Sequence, residues 1–296
     1  MKKKHKKIFL VLGISMMLIV IPVMAKKKNL FVEEDWLITQ YGPRDINSSF
    51  YTIYHPKKGL IVVDGGWVED AQYVRDIIGL AGNKVNAWIL THPHQDHIGA
   101  FNVIYAEPQG MEIGQVYAVN MATPQECQEV ASWDSVDAYE EFLNLQVKDL
   151  KYVNAGDELV ICGLKFQIFN AFGEYVKQYS RDYLNDGSMM FKVTAKEQSM
   201  LFCADVGVNM SDYLQNRWKE ELHSDYLQMA HHGFGGLKDE FYHMVSPKVT
   251  FFDAPAHMME DETGRFDNPR HEKMMQDMGS QVYSFIGGPL HSVKLK

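Results

Sequence analysis

Four potential metal ligands fall within six residues in the stretch Thr91-His92-Pro93-His94-Gln95-Asp96-His97-Ile98-Gly99, directly after the apolar run Ala87–Leu90. Imidazole nitrogen and carboxylate oxygen are the donors of mixed zinc sites. In extended chain alternate side chains share a face, so His92 and His94 suit one metal. Asp96 and His97 lie past a turn, displaced toward a second metal position. Gly99 is read as the residue that lets the backbone turn close to the metals before a helix begins.

Other strand-like runs end in the same residue types. Leu60-Ile61-Val62-Val63 leads into Asp64-Gly65-Gly66, and Ser199–Ala204 leads into Asp205-Val206-Gly207. Asp225–Ala230 leads into His231-His232-Gly233. Singly, each is as well explained by a turn, a helix cap or a loop. Together they put a His or Asp at the mouth of four strands, which is where layered α/β folds assemble their sites. Successive residues point opposite ways, so the choice between His231 and His232 as a ligand stays open, with a slight preference for His232.

The elements that must position these residues are short. Strands are expected at Trp36–Tyr41, Phe50–Tyr54, Leu60–Val63, Ala87–Thr91, Gln115–Val119, Glu158–Cys162, Lys165–Asn170, Met189–Thr194, Ser199–Ala204, Tyr226–Ala230, Val249–Asp253 and Gln281–Phe285. Each is rich in Val, Ile, Phe or Tyr and bounded by turn residues. Helices are expected at Val68–Leu80, Asp137–Leu150, Met210–Leu222, Leu237–Met244 and Arg270–Met278, with Ser135, Ser211 and Asn268 as N-caps. This alternation, with hairpins at 158–170 and 189–204, predicts an α/β domain over 30–296 in which two mixed sheets pack together with helices outside.

The motif His92-x-His94-x-Asp96-His97, followed in order by Asp205 and His231-His232-Gly233 and preceded by Asp64, resembles the signature of the metallo-β-lactamase-fold hydrolases. Asn185-Asp186-Gly187-Ser188 and His231-His232-Gly233 further resemble the branch that holds the competence-protein nuclease domain and cell-surface phosphorylcholine esterases. The resemblance implies a four-layer αβ/βα sandwich and a dinuclear zinc centre, with manganese or iron as alternative metals. It implies that His92 and His94 hold one metal, that Asp96 and His231 or His232 hold the other, with His97 in the same cluster, and that Asp205 bridges. Asp64 would orient the His-rich loop. Asp96 or Asp205 could pass a proton to the leaving group. Asn185 and Ser188 become substrate-binding candidates, and His271 a catalytic candidate that stabilises developing charge. Most of the superfamily carries a further His ligand before the bridging Asp. Residues 98–204 contain no histidine, which counts against a β-lactamase or glyoxalase and fits the branch.

Residues 1–25 carry five lysines, an apolar run from Ile8 to Met24 and Val23-Met24-Ala25, the pattern of an export signal or a retained N-terminal anchor. The expected location is therefore outside the cytoplasm, with membrane contact only through that segment. Without residues 1–25 the formal charge falls from −9 to −14. Such a surface repels polyanions, and no basic stripe marks a dedicated nucleic-acid surface. Cys127, Cys162 and Cys203 form no Cys-x-x-Cys pair, so no thiolate zinc ribbon or redox motif exists. The expected function is hydrolysis of a small-molecule or cell-surface phosphodiester by metal-activated water, or of a carboxylic ester, lactone or β-lactam on the same site.

Overall fold

The computed structural model describes residues 35–42, 45–286, 288 and 290–296. Strands β1 (Trp36–Tyr41), β2 (Phe50–His55), β3 (Gly59–Asp64), β4 (Lys84–Ile89), β5 (Glu112–Val119) and β6 (Leu150–Val153) join the last strand of the chain in one sheet. Strands β7 (Glu158–Ile161), β8 (Leu164–Asn170), β9 (Met190–Thr194), β10 (Ser199–Phe202), β11 (Tyr226–Gln228), β12 (Val249–Phe251) and β13 (Gln281–Tyr283) make the other. Numbering the last strand, Leu290–Leu295, as β14, the spatial orders are β14-β1-β2-β3-β4-β5-β6 and β13-β12-β11-β10-β9-β8-β7. Each sheet is antiparallel on one side and parallel on the other, parallel from β3 to β6 and from β10 to β13.

Period-two alternation explains the layers. Along β9 and β10, Phe191, Val193, Met200 and Phe202 face the other sheet, where Phe202 meets Tyr51 edge-on at 5.2 Å and stacks on Phe191 at 4.8 Å. Met190, Leu201 and Cys203 face the opposite way, into a second core shared with Met210, Leu214, Phe241 and Met275 of the covering helices. Strands buried on both faces read as continuous apolar runs, which is how they look in the sequence. The result is the expected α/β architecture, two mixed sheets flanked by helices in an αβ/βα sandwich. Trp36–Lys296 is one compact unit. The segment expected to direct export, residues 1–25, lies outside the described residues. Among the described residues no helix is long and apolar enough to cross a membrane.

Several elements differ from expectation for identifiable reasons. The helix Gln95–Ala106 buries Asp96, His97, Ile98, Gly99, Ala100, Phe101, Asn102 and Ile104, so it lacks the polar stripe that marks a surface helix. It also begins before Gly99 rather than after it. The expected helix Asp137–Leu150 stops at Asn144, because the chain must turn through left-handed Gln146 and Asp149 to enter edge strand β6. Ser211 and Asn268 are the first residues of their helices rather than caps. Their side chains serve other segments: Ser211 Oγ accepts from Lys238 N, and Asn268 Nδ2 donates to the His232 carbonyl.

Candidate metal centre

The site stands at the C-terminal ends of β3, β4, β10 and β11. Asp64 closes β3, Thr91 and His92 follow β4, Asp205 follows β10 and His231–Gly233 follow β11. Strands β10 and β11 pair only as far as Phe202 and Gln228, then part to make room. The freed N–H groups of Cys203 and Ala204 are taken by Gln228 Oε1 at 2.9 and 2.8 Å, and Gln228 Nε2 reaches Asp253 at 3.1 Å. Asp64, Ala204, His231 and His232 all adopt left-handed backbone, with φ of 53°, 47°, 50° and 56°. Such conformations are costly for non-glycine residues and persist only where surrounding bonds impose them. Here Trp88 Nε1 donates to the Asp64 carbonyl, and His231 N donates to the Ala204 carbonyl.

The side chains then converge. Asp205 Oδ1 lies 3.3 Å from His97 Nε2, and its Oδ2 lies 3.3, 3.8 and 3.9 Å from the Nε2 atoms of His232, His231 and His92. His232 Nε2 is also 3.1 Å from Asp96 Oδ2, and His92 Nε2 is 2.9 Å from His94 Nδ1. Two sets of donor atoms, His92/His97/Asp205 and Asp96/His97/His232, each fall within 4.8 Å. His97 Nε2, Asp205 Oδ1 and both ring nitrogens of His232 are buried without a hydrogen bond, although nitrogen and oxygen face each other at these short distances. Buried polar atoms left this way are expensive unless a cation satisfies them, so the donor set fits a pair of divalent metals.

Behind the ligands stands a layer that sets their tautomers. Asp64 Oδ2 accepts from His97 Nδ1 at 2.8 Å, from Thr91 Oγ1 at 2.8 Å and from Ser49 Oγ at 3.0 Å, while Oδ1 accepts from Thr91 N. A proton held on His97 Nδ1 leaves Nε2 free for a metal. Asn47 Nδ2 donates to Asp96 Oδ2 at 2.6 Å. Burial alone would depress the His97 and His232 pKa values. The Asp205 carboxylate, helped by Asp64 at His97 and by Asp96 at His232, instead lifts His97 well above the usual histidine range and His232 to about 10. Burial likewise pushes Asp96 up, but the His232 and His97 rings beside it bring it down to about 2. A cation entering this cluster therefore displaces protons from imidazole.

Every histidine and aspartate expected in the cluster is brought to this one place: His92, His94, Asp96, His97, Asp205, His231 and His232. His232 is buried against Asp96 and Asp205, whereas His231 is a quarter exposed, rests its ring on Phe234 at 4.6 Å and lines the cleft. That cleft, about 200 Å³, is also lined by Asn47, His94, Asp134 and Asn185. Asn185 faces it with Oδ1 unpaired, its Nδ2 donating to Asp182.

Two expected residues take other places. Ser188 is wholly buried, and its hydroxyl accepts from Asp205 N at 3.3 Å, so it braces Asp205 from behind rather than lining the cleft. His271 is also buried, with Nδ1 bonded to the Gly233 carbonyl at 2.8 Å and Nε2 turned toward Arg270 and Asp239. It holds the His232 loop and does not line the cleft, because its helix packs behind that loop. His271→Ala is expected to cost about 1 kcal/mol of stability, the value of one buried hydrogen bond. Turnover should fall less than with His232→Ala, and denaturant melts beside kcat would show otherwise. Sequence reasoning missed Asn47, Ser49, Thr91, Asp134 and Gln228. Only Thr91, adjacent to His92, carried a positional signal; the others are joined to the site by folding alone.

A sequence model described as the metallo-beta-lactamase superfamily matches residues 41–109, the span that contains Asp64 and the His92–His97 cluster. No curated protein matches the chain by sequence. Among solved structures, CmlA, a diiron β-hydroxylase from Streptomyces venezuelae, is similar with a TM-score of 0.56 and 13% identity over 90% of this chain and 55% of that one. The chain thus spans about half the length of that protein. YhfI from Bacillus subtilis, a metallo-beta-lactamase fold protein, is similar with a TM-score of 0.54 and 13% identity over 88% of this chain and all 100% of the other. A diphosphatase from the PhnP family is similar with a TM-score of 0.51 and 12% identity, over 88% and 98% of the two chains. With two mixed sheets, and carboxylate and imidazole groups gathered at the strand ends, the chain has the fold of metallo-beta-lactamase proteins, and the superfamily's sequence model matches it over the His-rich span 41–109.

Proposed function

We propose that the chain is a metal-dependent hydrolase that cleaves a phosphodiester with metal-activated water, exported through residues 1–25 and acting on a small-molecule or cell-surface substrate. The observation that carries the hydrolase reading is the convergence of His92, His94, Asp96, His97, Asp205 and His232, with His97 Nε2, Asp205 Oδ1 and both His232 ring nitrogens buried and without a hydrogen bond. His92 and His94 would hold one metal, Asp96, His97 and His232 the other, with Asp205 shared. Bound there, divalent cations would supply Lewis acidity and a water acidified to near-neutral pKa.

The chain's own residues do the positioning. Asp64 fixes the His97 tautomer, Asn47 fixes the Asp96 carboxylate and Ser188 steadies Asp205. His231 Nε2 and the unpaired Asn185 Oδ1 are placed to meet a polar group of the substrate. Zinc is the expected metal from its fit to nitrogen and oxygen donors, and manganese or iron suits the same set. Iron gains weight from the diiron neighbour of the same fold.

A phosphodiester is favoured by the absence of histidine from 98–204, which matches the nuclease and phosphorylcholine esterase branch. A fold neighbour named as a diphosphatase is consistent with phosphoryl chemistry, though fold alone does not choose a reaction. The second reading is hydrolysis of a carboxylic ester, lactone or β-lactam. Metal analysis of wild type beside His94→Ala and Asp205→Ala, coupled to turnover of bis-p-nitrophenyl phosphate and p-nitrophenyl phosphorylcholine, tests the first. Wild type should bind two metals and cleave at least one of these diesters, and both variants should lose metal and rate. Turnover of nitrocefin or a lactone by metal-loaded protein that ignores both diesters would move the assignment to the second.

A further inference from the structure

We infer that Asp134 is the positioning carboxylate of the His92/His94 metal position, doing for His94 what Asp64 does for His97. The inference rests on the metal-centre reading above. Asp134 Oδ2 is 2.8 Å from His94 Nε2, and both side chains are largely buried, at 20% and 13% exposure. The other nitrogen of the same ring, Nδ1, lies 2.9 Å from His92 Nε2. A carboxylate that accepts from Nε2–H holds the proton on that side and leaves the Nδ1 lone pair for a metal shared with His92. At His97 the nitrogens are exchanged but the logic is the same, with Nδ1 on Asp64 and Nε2 on the metal side.

Asp134 is placed to do this by its own loop. Its other oxygen, Oδ1, accepts from Ser135 N at 3.0 Å, and Asp134 N donates to the Ala131 carbonyl at 3.0 Å. Ala131 and Val136 are buried on either side, and Ala138 just beyond accepts from Asn102 Nδ2 at 2.9 Å. Asn102 belongs to the helix that carries Asp96 and His97. One helix thus sets the position of both metal ligands and of the loop that steers His94. Residues 98–204 lack histidine, and what that stretch sends to the His92/His94 side is this carboxylate.

The test is calorimetric titration of metal-free full-length protein with Zn2+, with chelator competition and the visible spectrum of the Co2+ form. The proteins are wild type, Asp134→Ala and Asp134→Asn. Wild type should take two equivalents. Asp134→Ala should keep one at wild-type affinity and bind the other about 10- to 100-fold more weakly, with a changed Co2+ spectrum for that equivalent. Asp134→Asn retains an acceptor for Nε2–H and should recover most of the loss. Asp134→Ala that binds both equivalents like wild type with an unchanged spectrum overturns the inference. So do variants that lose both equivalents alike together with the melting temperature of the metal-free protein. Wild type that takes up no metal overturns the metal-centre reading itself, and this inference with it.

Discussion

Asp205→Asn should lower kcat/KM about a thousandfold or more and weaken uptake of both metals, while leaving the fold intact. The carboxylate sits among four imidazoles, within 3.3 to 3.9 Å of the Nε2 atoms of His97, His232, His231 and His92. No other acidic group in the cluster touches ligands of both positions. Asparagine keeps the shape and one acceptor oxygen but removes the negative charge. Lewis-acid stabilisation at a metal contributes several kcal/mol, and each ~1.4 kcal/mol is tenfold in rate, which sets the scale. The same substitution removes the leading cause that lifts His232 to about 10, so that pKa should fall in the metal-free variant. Steady-state kinetics, zinc competition and imidazole titration by NMR read the three effects separately. A variant that keeps a tenth of wild-type activity with two tightly bound metals would remove Asp205 from its bridging role.

Gly99→Ala should be strongly damaging although it replaces no metal-ligand candidate. A Cβ at position 99 would stand 2.5 Å from Val68 N and 2.9 Å from Trp67 C, both backbone atoms. Neither can swing aside as a side chain does. The same contact is tied by hydrogen bonds: Gly65 N and Gly66 N donate to the His97 carbonyl, and Ala100 N donates to the Gly66 carbonyl. Alanine must pry the helix Gln95–Ala106 away from the Asp64 loop and carry Asp96 and His97 with it. Forced overpacking of this kind costs about 3 kcal/mol. For a domain of this size that is roughly 6–12 °C in Tm. Zinc affinity should fall in parallel, because the Asp64–His97 hydrogen bond is stretched. Thermal melts of metal-free protein with a zinc titration would settle it, and a melt within 2 °C of wild type, by the same scale, would refute it.

Much of the fold was legible because β propensity and alternation are local properties. Strand Trp36–Tyr41 is read from sequence with the bounds the structure shows, and most others end within a few residues of theirs. The exceptions have two causes. Edge strands β6 and β14 carry exposed polar residues that dilute the apolar signal. The helix Gln95–Ala106, which carries Asp96 and His97, is buried on nearly every side and so has no amphipathic period to find.

The site divides along a similar line. Metal-ligand chemistry belongs to side-chain types and their spacing, so the sequence alone picked out the His and Asp residues from His92 to His232 that the structure brings together. Their roles were decided elsewhere. His232 faces inward and His231 outward because His231 N donates to the Ala204 carbonyl while the Asn268 and His271 side chains bond the His232 and Gly233 carbonyls, which holds the pair left-handed. Ser188 braces, His271 anchors and Asp134 steers for the same reason. Each is brought to its partner by packing between segments 17 to 40 positions apart, and no local pattern encodes a contact at that range.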